Sequence, residues 1–230
     1  MFEAEEKGLN LIRELSGMKV PEVILVGTAD NTSYLILEFL EQDVPCWKDG
    51  GFILANMHSM MRGKMFGLDH NNYIGSLPQS NTQHATWQDF YSQERIFPQI
   101  KLAIDSGKLT ARELQGAEIF CSRIGEIFPE EKPSLLHGDL WSGNFMFSVE
   151  GPAVVDPAVY FGHREMDLAM TRLFGGFDAE FYEGYNEFHT LEKNWEKRVD
   201  YCNLYPLLVH VNLFGGGYAD DVRRILRHFT

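Results

Sequence analysis

Cysteine is scarce in this 230-residue chain, which has Cys46, Cys121 and Cys202 far apart and without CxxC spacing. An odd number of widely separated cysteines disfavours both a disulfide framework and a structural zinc site. A reducing compartment is the simplest setting for such a chain. We therefore expect a cytoplasmic protein.

Long apolar runs and a basic N-terminus are also missing. The longest apolar stretch, residues 204–214, is interrupted by His210 and Asn212, and the chain opens with the acidic run Met1-Phe2-Glu3-Ala4-Glu5-Glu6. A signal peptide would be basic and then apolar, and a membrane-spanning helix needs about 20 apolar residues. The sequence predicts neither export nor a membrane span.

Positive charge is in short supply, with 20 basic against 33 acidic side chains and a formal net charge of −13. That balance opposes the phosphate neutralisation needed for nucleic-acid binding and disfavours anionic membranes. Hydrophobic residues make up 44% of the chain, which is long enough to bury about 70% of its unfolded surface. We expect a globular protein in which any anionic ligand is bound by specific groups at its site rather than attracted by the overall charge.

The N-terminal segment predicts a helix over residues 2–16, with Glu5 on the same stripe as Leu9 and Ile12. Glu5 either supports the helix N-terminus through the helix dipole or faces inward and requires a cation. The apolar runs 23–26 and 34–37 then predict a β-hairpin with a six-residue loop. An isolated hairpin has open edges, so self-association is plausible.

Most of the remaining chain has helical patterning, interrupted by one β segment. We expect a polar loop around Gly75 and Pro78. Residues 135–157 predict strand, loop, strand, turn and strand, with Gly151 and Pro152 in the turn. The predicted helices cover residues 51–62, 86–104, 110–128, 164–173, 179–189, 193–214 and 217–229.

The β segment contains the run HGDLWSGN, from His137 to Asn144. Asp139 and Asn144 have the five-residue spacing of the protein-kinase catalytic loop, where the aspartate accepts a hydroxyl proton and the asparagine holds magnesium. A turn centred on Gly151 would pair Met146 with Asp156. That register would leave Asn144 within about 7 Å of Asp156, where both could share Mg²⁺. Individually, these residues could instead be turn residues and a helix cap.

The motifs together resemble the fructosamine kinase (ketosamine-3-kinase) family, within the aminoglycoside-phosphotransferase-like group of small-molecule kinases. The matching segments are MFEAEEKGL, VPEVILVG, YLILEFLE, FGLDHNNYIGSLPQSN, HGDLWSGN, VVDPAVYFGHREMDLAMTRLFGGF and LYPLLVHVNLFGGGY. The resemblance implies an α+β, protein-kinase-like fold with a truncated N-terminal β lobe and a mainly helical C-terminal lobe. Its implied domains are a nucleotide-lobe remnant at 1–41 and a catalytic and substrate-binding lobe at 42–230.

The resemblance also implies an activity, namely ATP-dependent phosphorylation of the 3-hydroxyl of a ketosamine, either a fructosamine or a ribulosamine, in deglycation. Asp139 would be the catalytic base, and Asn144 and Asp156 the Mg²⁺ ligands. Trp141 would cover the substrate, although it could instead be a core tryptophan. The substrate could be a small or a protein-bound ketosamine.

Nucleotide binding is implied for two further segments. Glu38, Phe39 and Leu40 match the hinge that meets the adenine of ATP, and Glu5 matches the helix glutamate that pairs with a phosphate-binding lysine.

Four residues of the HREMD segment have less certain roles. Asp167 either accepts backbone hydrogen bonds from the catalytic loop or simply faces solvent. No role follows for His163, Arg164 or Glu165, and the other histidines are interpreted as core or surface residues.

The sequence departs from the family at its start, because no Gly-rich loop or strand lysine precedes Glu5, and only Lys7 and Lys19 precede the hinge hairpin. The chain is interpreted as a fragment, a misplaced start or a natural short form, with weak ATP binding. Two alternatives to ketosamine kinase activity stay open. One is a non-catalytic ketosamine- or partner-binding module, and the other is a related kinase for choline or an aminoglycoside.

Overall fold

The computed structural model describes residues 1–60 and 63–229 of the chain, and these form a mixed structure rich in helices. The helices are α1 (Phe2–Ser16), α2 (Trp47–Met60), α3 (Trp87–Phe90), α4 (Phe97–Asp105), α5 (Ala111–Ser122), α6 (Ile124–Ile127), α7 (Glu165–Leu173), α8 (Ala179–Phe188), α9 (Val199–Phe214) and α10 (Tyr218–Leu226). A π-helical turn, Tyr91–Ile96, joins α3 to α4. Within the described ranges, no helix is long and apolar enough to cross a membrane.

The predicted helices agree closely with these elements. The prediction for 86–104 is met by the continuous run α3, π-helical turn and α4, and that for 193–214 by a short 3-10 turn followed by α9. The helix predicted over 51–62 begins earlier, at Trp47, and its last two positions lie outside the described residues.

Helix α1 has the predicted bounds and stops where Gly17 adopts a left-handed conformation (φ 68°). The following hairpin differs from the prediction. Strands β1 (Val23–Ala29) and β2 (Thr32–Leu37) extend through four of the six supposed loop residues. Only Asp30 and Asn31 form the turn, both at positive φ, which Asp and Asn tolerate better than other non-glycine residues.

The other strands are short and, in the described residues, pair only two by two. They are β3 (Asn72–Ile74) with β4 (Leu77–Gln79), β5 (Ser134–Leu136) with β8 (Tyr160–Gly162), and β6 (Phe145–Ser148) with β7 (Gly151–Val154). The expected polar loop around Gly75 and Pro78 was wrong, because residues 72–79 form the β3–β4 hairpin. Its strands are held by buried amide side chains, which leave no apolar alternation in the sequence.

The register predicted for the β6–β7 hairpin was also wrong. Met146 pairs with Ala153, and Ser148 with Gly151, so the turn is tighter than expected. Gly151 and Pro152 belong to β7 because Ser148 pairs with Gly151 and its hydroxyl donates to the Gly151 carbonyl (2.9 Å). Asn144 still lies opposite the end of β7, since the N–H of Val155 donates to its carbonyl oxygen (3.1 Å).

Two buried clusters form the core. The larger one is built mainly from the helical run 87–105, α5, α9 and α10. The second joins Leu9 and Ile12 of α1 to Leu54 of α2, to Leu140 and to Val154 of β7. Leu140 belongs to the loop of residues 137–144, which is called the catalytic loop below after the kinase motif it resembles. Helix α1 is thereby fixed against the segments that carry the kinase-like motif, while the domain boundary after residue 41 stays a prediction.

Candidate active site

The catalytic loop follows β5 and passes very close to a second backbone segment. Gly138 has φ 85°, and a Cβ there would lie 2.1 Å from the carbonyl oxygen of Ala158. Only glycine fits such a position. The N–H of Ala158 donates to the carbonyl of His137 (2.8 Å), which joins the loop to the segment just after Asp156.

Asp167 orients the catalytic loop from α7. Its fully buried carboxylate accepts hydrogen bonds from the backbone N–H groups of His137 (2.7 Å) and Gly138 (2.9 Å), and it lies 3.2 Å from Nε2 of His58. Burial opposes ionisation, but these partners outweigh it and hold the pKa of Asp167 below its ordinary value. The first interpretation of Asp167, as an acceptor for the catalytic loop, is confirmed.

His137 connects the two segments a second time. Its Nε2 donates to the carbonyl of Val155 (2.9 Å), and its Nδ1 accepts from the N–H of Asp139 (3.2 Å). Burial lowers the pKa of His137, which favours this neutral tautomer. Sequence analysis assigned no role to this histidine, whose only signal is its position directly before Gly138 and Asp139.

Asn144 is buried at the start of β6 and contacts the loop residue predicted to be the base. Its amide nitrogen donates to the backbone carbonyl of Asp139 (3.0 Å) and to one carboxylate oxygen of Asp139 (3.3 Å). This arrangement fixes the amide orientation and leaves Oδ1 of Asn144 without a hydrogen bond among the described residues. Asp156, which is exposed, likewise has no hydrogen-bonding or ionic partner within residues 1–60 and 63–229.

The oxygen atoms of Asn144 and Asp156 suit Mg²⁺, which is commonly bound by one or two protein ligands together with substrate phosphates. In the described chain, no group of three or more histidine, cysteine or acidic residues is arranged to hold a metal on its own. The residues present therefore fit an ion that arrives with a phosphate ligand.

The carboxylates of Asp139, Asp156 and Glu5 lie near one another, and no basic side chain of the described residues forms an ion pair with them. Burial and the charges of Asp156 and Asp167 raise the pKa of Asp139 to about 7. Burial and the charge of Asp156 raise the pKa of Glu5 to about 7 as well. Each of these shifts has the sign expected of a site built to receive positive charge.

Glu5 faces inward, in agreement with the second of its two interpretations. Helix α1 approaches the site at Gly8, where a Cβ would lie 3.2 Å from Pro157. In the described ranges no basic side chain forms an ion pair with Glu5. Lys19 is engaged elsewhere, 3.2 Å from Glu38 and 2.8 Å from Glu150.

Two cavities meet at Asp139 and Asp156. The first, of about 650 Å³, extends to Glu5 and Leu37, and the second, of about 420 Å³, extends to Trp141 and α9. Ile74 and Gly75 of the β3–β4 hairpin contribute to both. A group in either cavity could therefore reach the Asp139 carboxylate.

The second cavity has aromatic walls. The Trp141 side chain is 39% exposed and packs edge-on against Phe174 (centroids 6.3 Å apart). Its ring lies across Gly143, where a Cβ would meet it at 2.2 Å. The exposure and cavity position argue against a core tryptophan.

His210 also lines the second cavity, together with Phe214 and Tyr218. Its Nδ1 donates to the carbonyl of Pro206 (2.7 Å), so that Nε2 is the free ring nitrogen. The sequence interpretation as a core or surface histidine missed this placement. The spacing of residues 210 and 214 was the available signal, because i and i+4 share a face of a helix.

The predicted hinge lies apart from these residues. Leu37 reaches the first cavity, whereas Glu38, Phe39 and Leu40 do not line it. Phe39 is 89% exposed, and the Glu38 carboxylate accepts from Lys19 and from the N–H of Glu22. In the described chain the N–H groups of Phe39 and Leu40 have no hydrogen-bond acceptor.

The HRE segment, which had no assigned role, forms buried structural contacts. Arg164 donates to Glu131 (2.9 Å) and to the carbonyl of Thr190 (2.8 Å), and Glu165 accepts from Arg198 (2.7 Å). His163 is fully buried near Pro129. These contacts stabilise the start of α7, the helix that carries Asp167.

The fold is that of the protein-kinase-like aminoglycoside phosphotransferases. The chain superimposes on aminoglycoside phosphotransferase APH(2'')-Ib with a TM-score of 0.59 at 13% identity, covering 98% of this chain and 80% of that one. At that identity the likeness concerns the fold alone.

The fructosamine kinase family model matches residues 1–230, and the chain belongs to that family. A relative from Vibrio cholerae assigned as a ketoamine kinase is 39% identical, over 98% of this chain and 79% of the relative. Protein-ribulosamine 3-kinase of Arabidopsis thaliana is 36% identical, over 98% and 71%. A Thermobifida fusca crystal structure assigned as a fructosamine-3-kinase matches with a TM-score of 0.86 at 36% identity, over 99% and 80%.

Proposed function

We propose that the chain transfers the γ-phosphoryl group of ATP to the 3-hydroxyl of a ketosamine, a fructosamine or ribulosamine, in deglycation. The observation that carries the proposal is the position of Asp139 at the junction of two cavities, beside Asn144 and Asp156. The names of the ketoamine and ribulosamine kinases among its relatives support the substrate class.

Asp139 is proposed as the base. Its pKa of about 7 suits proton exchange near neutral pH, and its hydrogen bond from Asn144 orients the carboxylate. The proton of the 3-hydroxyl passes to Asp139 as the hydroxyl oxygen bonds to the γ-phosphorus and ADP leaves. Asn144 and Asp156 would hold Mg²⁺, which neutralises the phosphate charge.

The second cavity is proposed to bind the ketosamine. Trp141 and Phe174 present aromatic faces, which attract the cationic amine of such a substrate. The free Nε2 of His210 is an acceptor for a sugar hydroxyl. An amine that is part of a protein could be accommodated because Trp141 and Phe214 are well exposed at the cavity rim (39% and 70%).

The first cavity is proposed to bind ATP. The unpaired N–H groups of Phe39 and Leu40 are available to the adenine, although these residues lie beyond the cavity lining. We further infer that the 230 residues alone bind Mg·ATP weakly, because Glu5 has no lysine partner in the described chain and Lys19 is held by Glu38 and Glu150. Calorimetry tests this, and low-micromolar affinity would contradict it.

A coupled assay of ADP release tests the activity. We expect slow release that requires Mg²⁺, ATP and a fructosamine or ribulosamine, and that disappears in Asp139→Ala. Asp105→Ala, at an exposed carboxylate paired with Lys101, is the matched control. Undiminished release in Asp139→Ala would overturn the assignment of the base.

Binding and activity measurements on the same protein distinguish ketosamine kinase activity from the two alternative functions. Ketosamine binding by calorimetry without any phosphate transfer would identify a non-catalytic binding module. Transfer to choline or an aminoglycoside, but not to a ketosamine, would identify a related kinase. We also propose a cytoplasmic location, supported by three free cysteines.

A further inference from the structure

The β3–β4 hairpin is the shared wall of the two cavities, yet little of its own structure holds it in place. Each strand has three residues, and the hairpin joins no larger sheet in the described chain. Two-stranded sheets of this size are marginal in isolation. Its position must depend on contacts to other elements.

Amide side chains attach the base of the hairpin to the segment after Asp156. Asn72 donates to the carbonyl of Val159 (2.8 Å), and Gln79 donates to that of Ala158 (3.1 Å). Gln79 also donates to the side-chain oxygen of Asn72 (2.8 Å). Both amides are buried, so water does not substitute for these bonds.

The other end of the Gln79 amide is bonded to α9. Its side-chain oxygen accepts a hydrogen bond of 2.7 Å from the hydroxyl of Tyr205, which is buried. Val209 and Leu213 lie one and two turns further along the same face of α9 and line the second cavity. Across the cavity edge, a Cβ on Gly75 would lie 3.1 Å from Leu213.

A buried guanidinium, that of Arg95, stabilises the contact between the hairpin and α9. Arg95 is presented by the π-helical turn, donates to the side chain of Asn81 (2.7 Å) and to the carbonyl of Ser80, and has no carboxylate partner among the described residues. It lies over the rings of Tyr160 (4.2 Å) and Tyr205 (5.3 Å). The arrangement orders both the chain after β4 and the Tyr205 ring.

We propose that Gln79 and Tyr205 are positioning residues of the second cavity, and that their hydrogen bond sets the spacing between the hairpin tip and α9. What the cavity binds rests on the proposed function. Helix α9 lines the second cavity and not the first, whereas the hairpin lines both, so loosening this bond weakens ketosamine binding more than nucleotide binding.

Tyr205→Phe tests the proposal, with Tyr91→Phe as the matched control. Tyr91 is also fully buried, and its hydroxyl donates to the carbonyls of Tyr201 (2.8 Å) and Cys202 (3.0 Å) in the first turn of α9, but Tyr91 lines neither cavity. Calorimetry with the fructosamine of N-acetyl-lysine should give about fivefold weaker binding for Tyr205→Phe alone. Mg·ADP affinity should change less than ketosamine affinity in Tyr205→Phe, and should match that of the unaltered protein in Tyr91→Phe.

Gln79→Met and the double variant with Tyr205→Phe provide a second test. Because both changes remove the hydrogen bond between Tyr205 and Gln79, its loss counts only once in the double variant, so the two losses of affinity should not be additive. Equal ketosamine affinity in Tyr205→Phe and the unaltered protein would overturn the proposal, as would equal weakening in Tyr91→Phe.

Hydrogen–deuterium exchange of residues 72–79 gives a readout that needs no ligand. Exchange should accelerate in Tyr205→Phe and not in Tyr91→Phe, and unchanged exchange in Tyr205→Phe would overturn the proposal. If the unaltered protein fails to bind the ketosamine while the exchange difference is present, the proposed function fails and the positioning role stands.

Discussion

The carboxylate of Asp139 should destabilise the protein in the absence of ligands. Its pKa is about 7 in the folded state against an ordinary value of 3.8, with burial as the main cause. The unfolded chain therefore loses this proton at lower pH than the folded protein, and ionisation favours unfolding. The penalty is absent below about pH 4, grows with pH, and is complete above about pH 7.

The structure sets the size of this penalty. A gap of about 3 pH units corresponds to about 4 kcal/mol, since each pH unit is worth 1.36 kcal/mol. Asp139 keeps partial contact with solvent, which screens its charge, so we expect about 1–3 kcal/mol. Asp139→Asn removes the charge and retains an oxygen that can accept from the Asn144 amide.

Urea unfolding followed by far-ultraviolet circular dichroism measures the effect at two pH values. Asp139→Asn should be more stable than the unaltered protein at pH 8, with a gain roughly half as large at pH 5.5. Asp105→Asn is the control, because that exposed carboxylate pairs with Lys101 (2.7 Å) and its loss should change stability by less than about 0.5 kcal/mol.

Two results would refute this reasoning. One is an Asp139→Asn variant that is no more stable than the unaltered protein at pH 8. The other is a gain of the same size at both pH values, since that would arise from packing rather than from ionisation.

Three further variants test other parts of the structure. Gly143→Ala would push a Cβ to 2.2 Å from the Trp141 ring and should weaken ketosamine binding in calorimetry, whereas Gly217→Ala, with open space around it, should not. Asp167→Asn would turn an amide donor toward one of two backbone N–H groups and should lower the free energy of unfolding by about 2–4 kcal/mol in urea titrations. If the open hairpin edge mediates self-association, as we propose, Ile24→Lys at its 65% exposed position should shift sedimentation velocity profiles toward monomer.

Much of the helical structure was predictable because its signals are local. Helix α1 shows apolar periodicity and ends at a glycine, and Asp139 and Asn144 have a spacing that few other structures require. The inward position of Glu5 could be proposed but not decided, because a helix-dipole role predicts the same residue at the same place. The packing of Gly8 on Pro157 and the position of Glu5 in the lining of the first cavity separate the two interpretations.

Most of the parts that could not be predicted depend on partners far away in sequence. The β3–β4 hairpin has the composition of a polar loop, and its strands are fixed by Asn72 and Gln79 bonding to residues about 80 positions later. The register of β6–β7 was predicted wrongly for a different and local reason, since Gly151 looks like a turn residue but pairs with Ser148, three positions before it. His210 was visible only once α9 was placed beside Trp141.

The contact between Gly138 and the Ala158 carbonyl shows that two neighbouring residues of one motif are required for different reasons. Gly138 is required by backbone clearance, whatever reaction the protein performs, whereas Asp139 next to it, the proposed base, is expected to cost stability and to be kept only for the proposed activity. A descendant of this protein that had lost catalysis would be free to exchange Asp139 but not Gly138. Retention of the glycine with loss of the aspartate is therefore the expected mark of a binding-only relative.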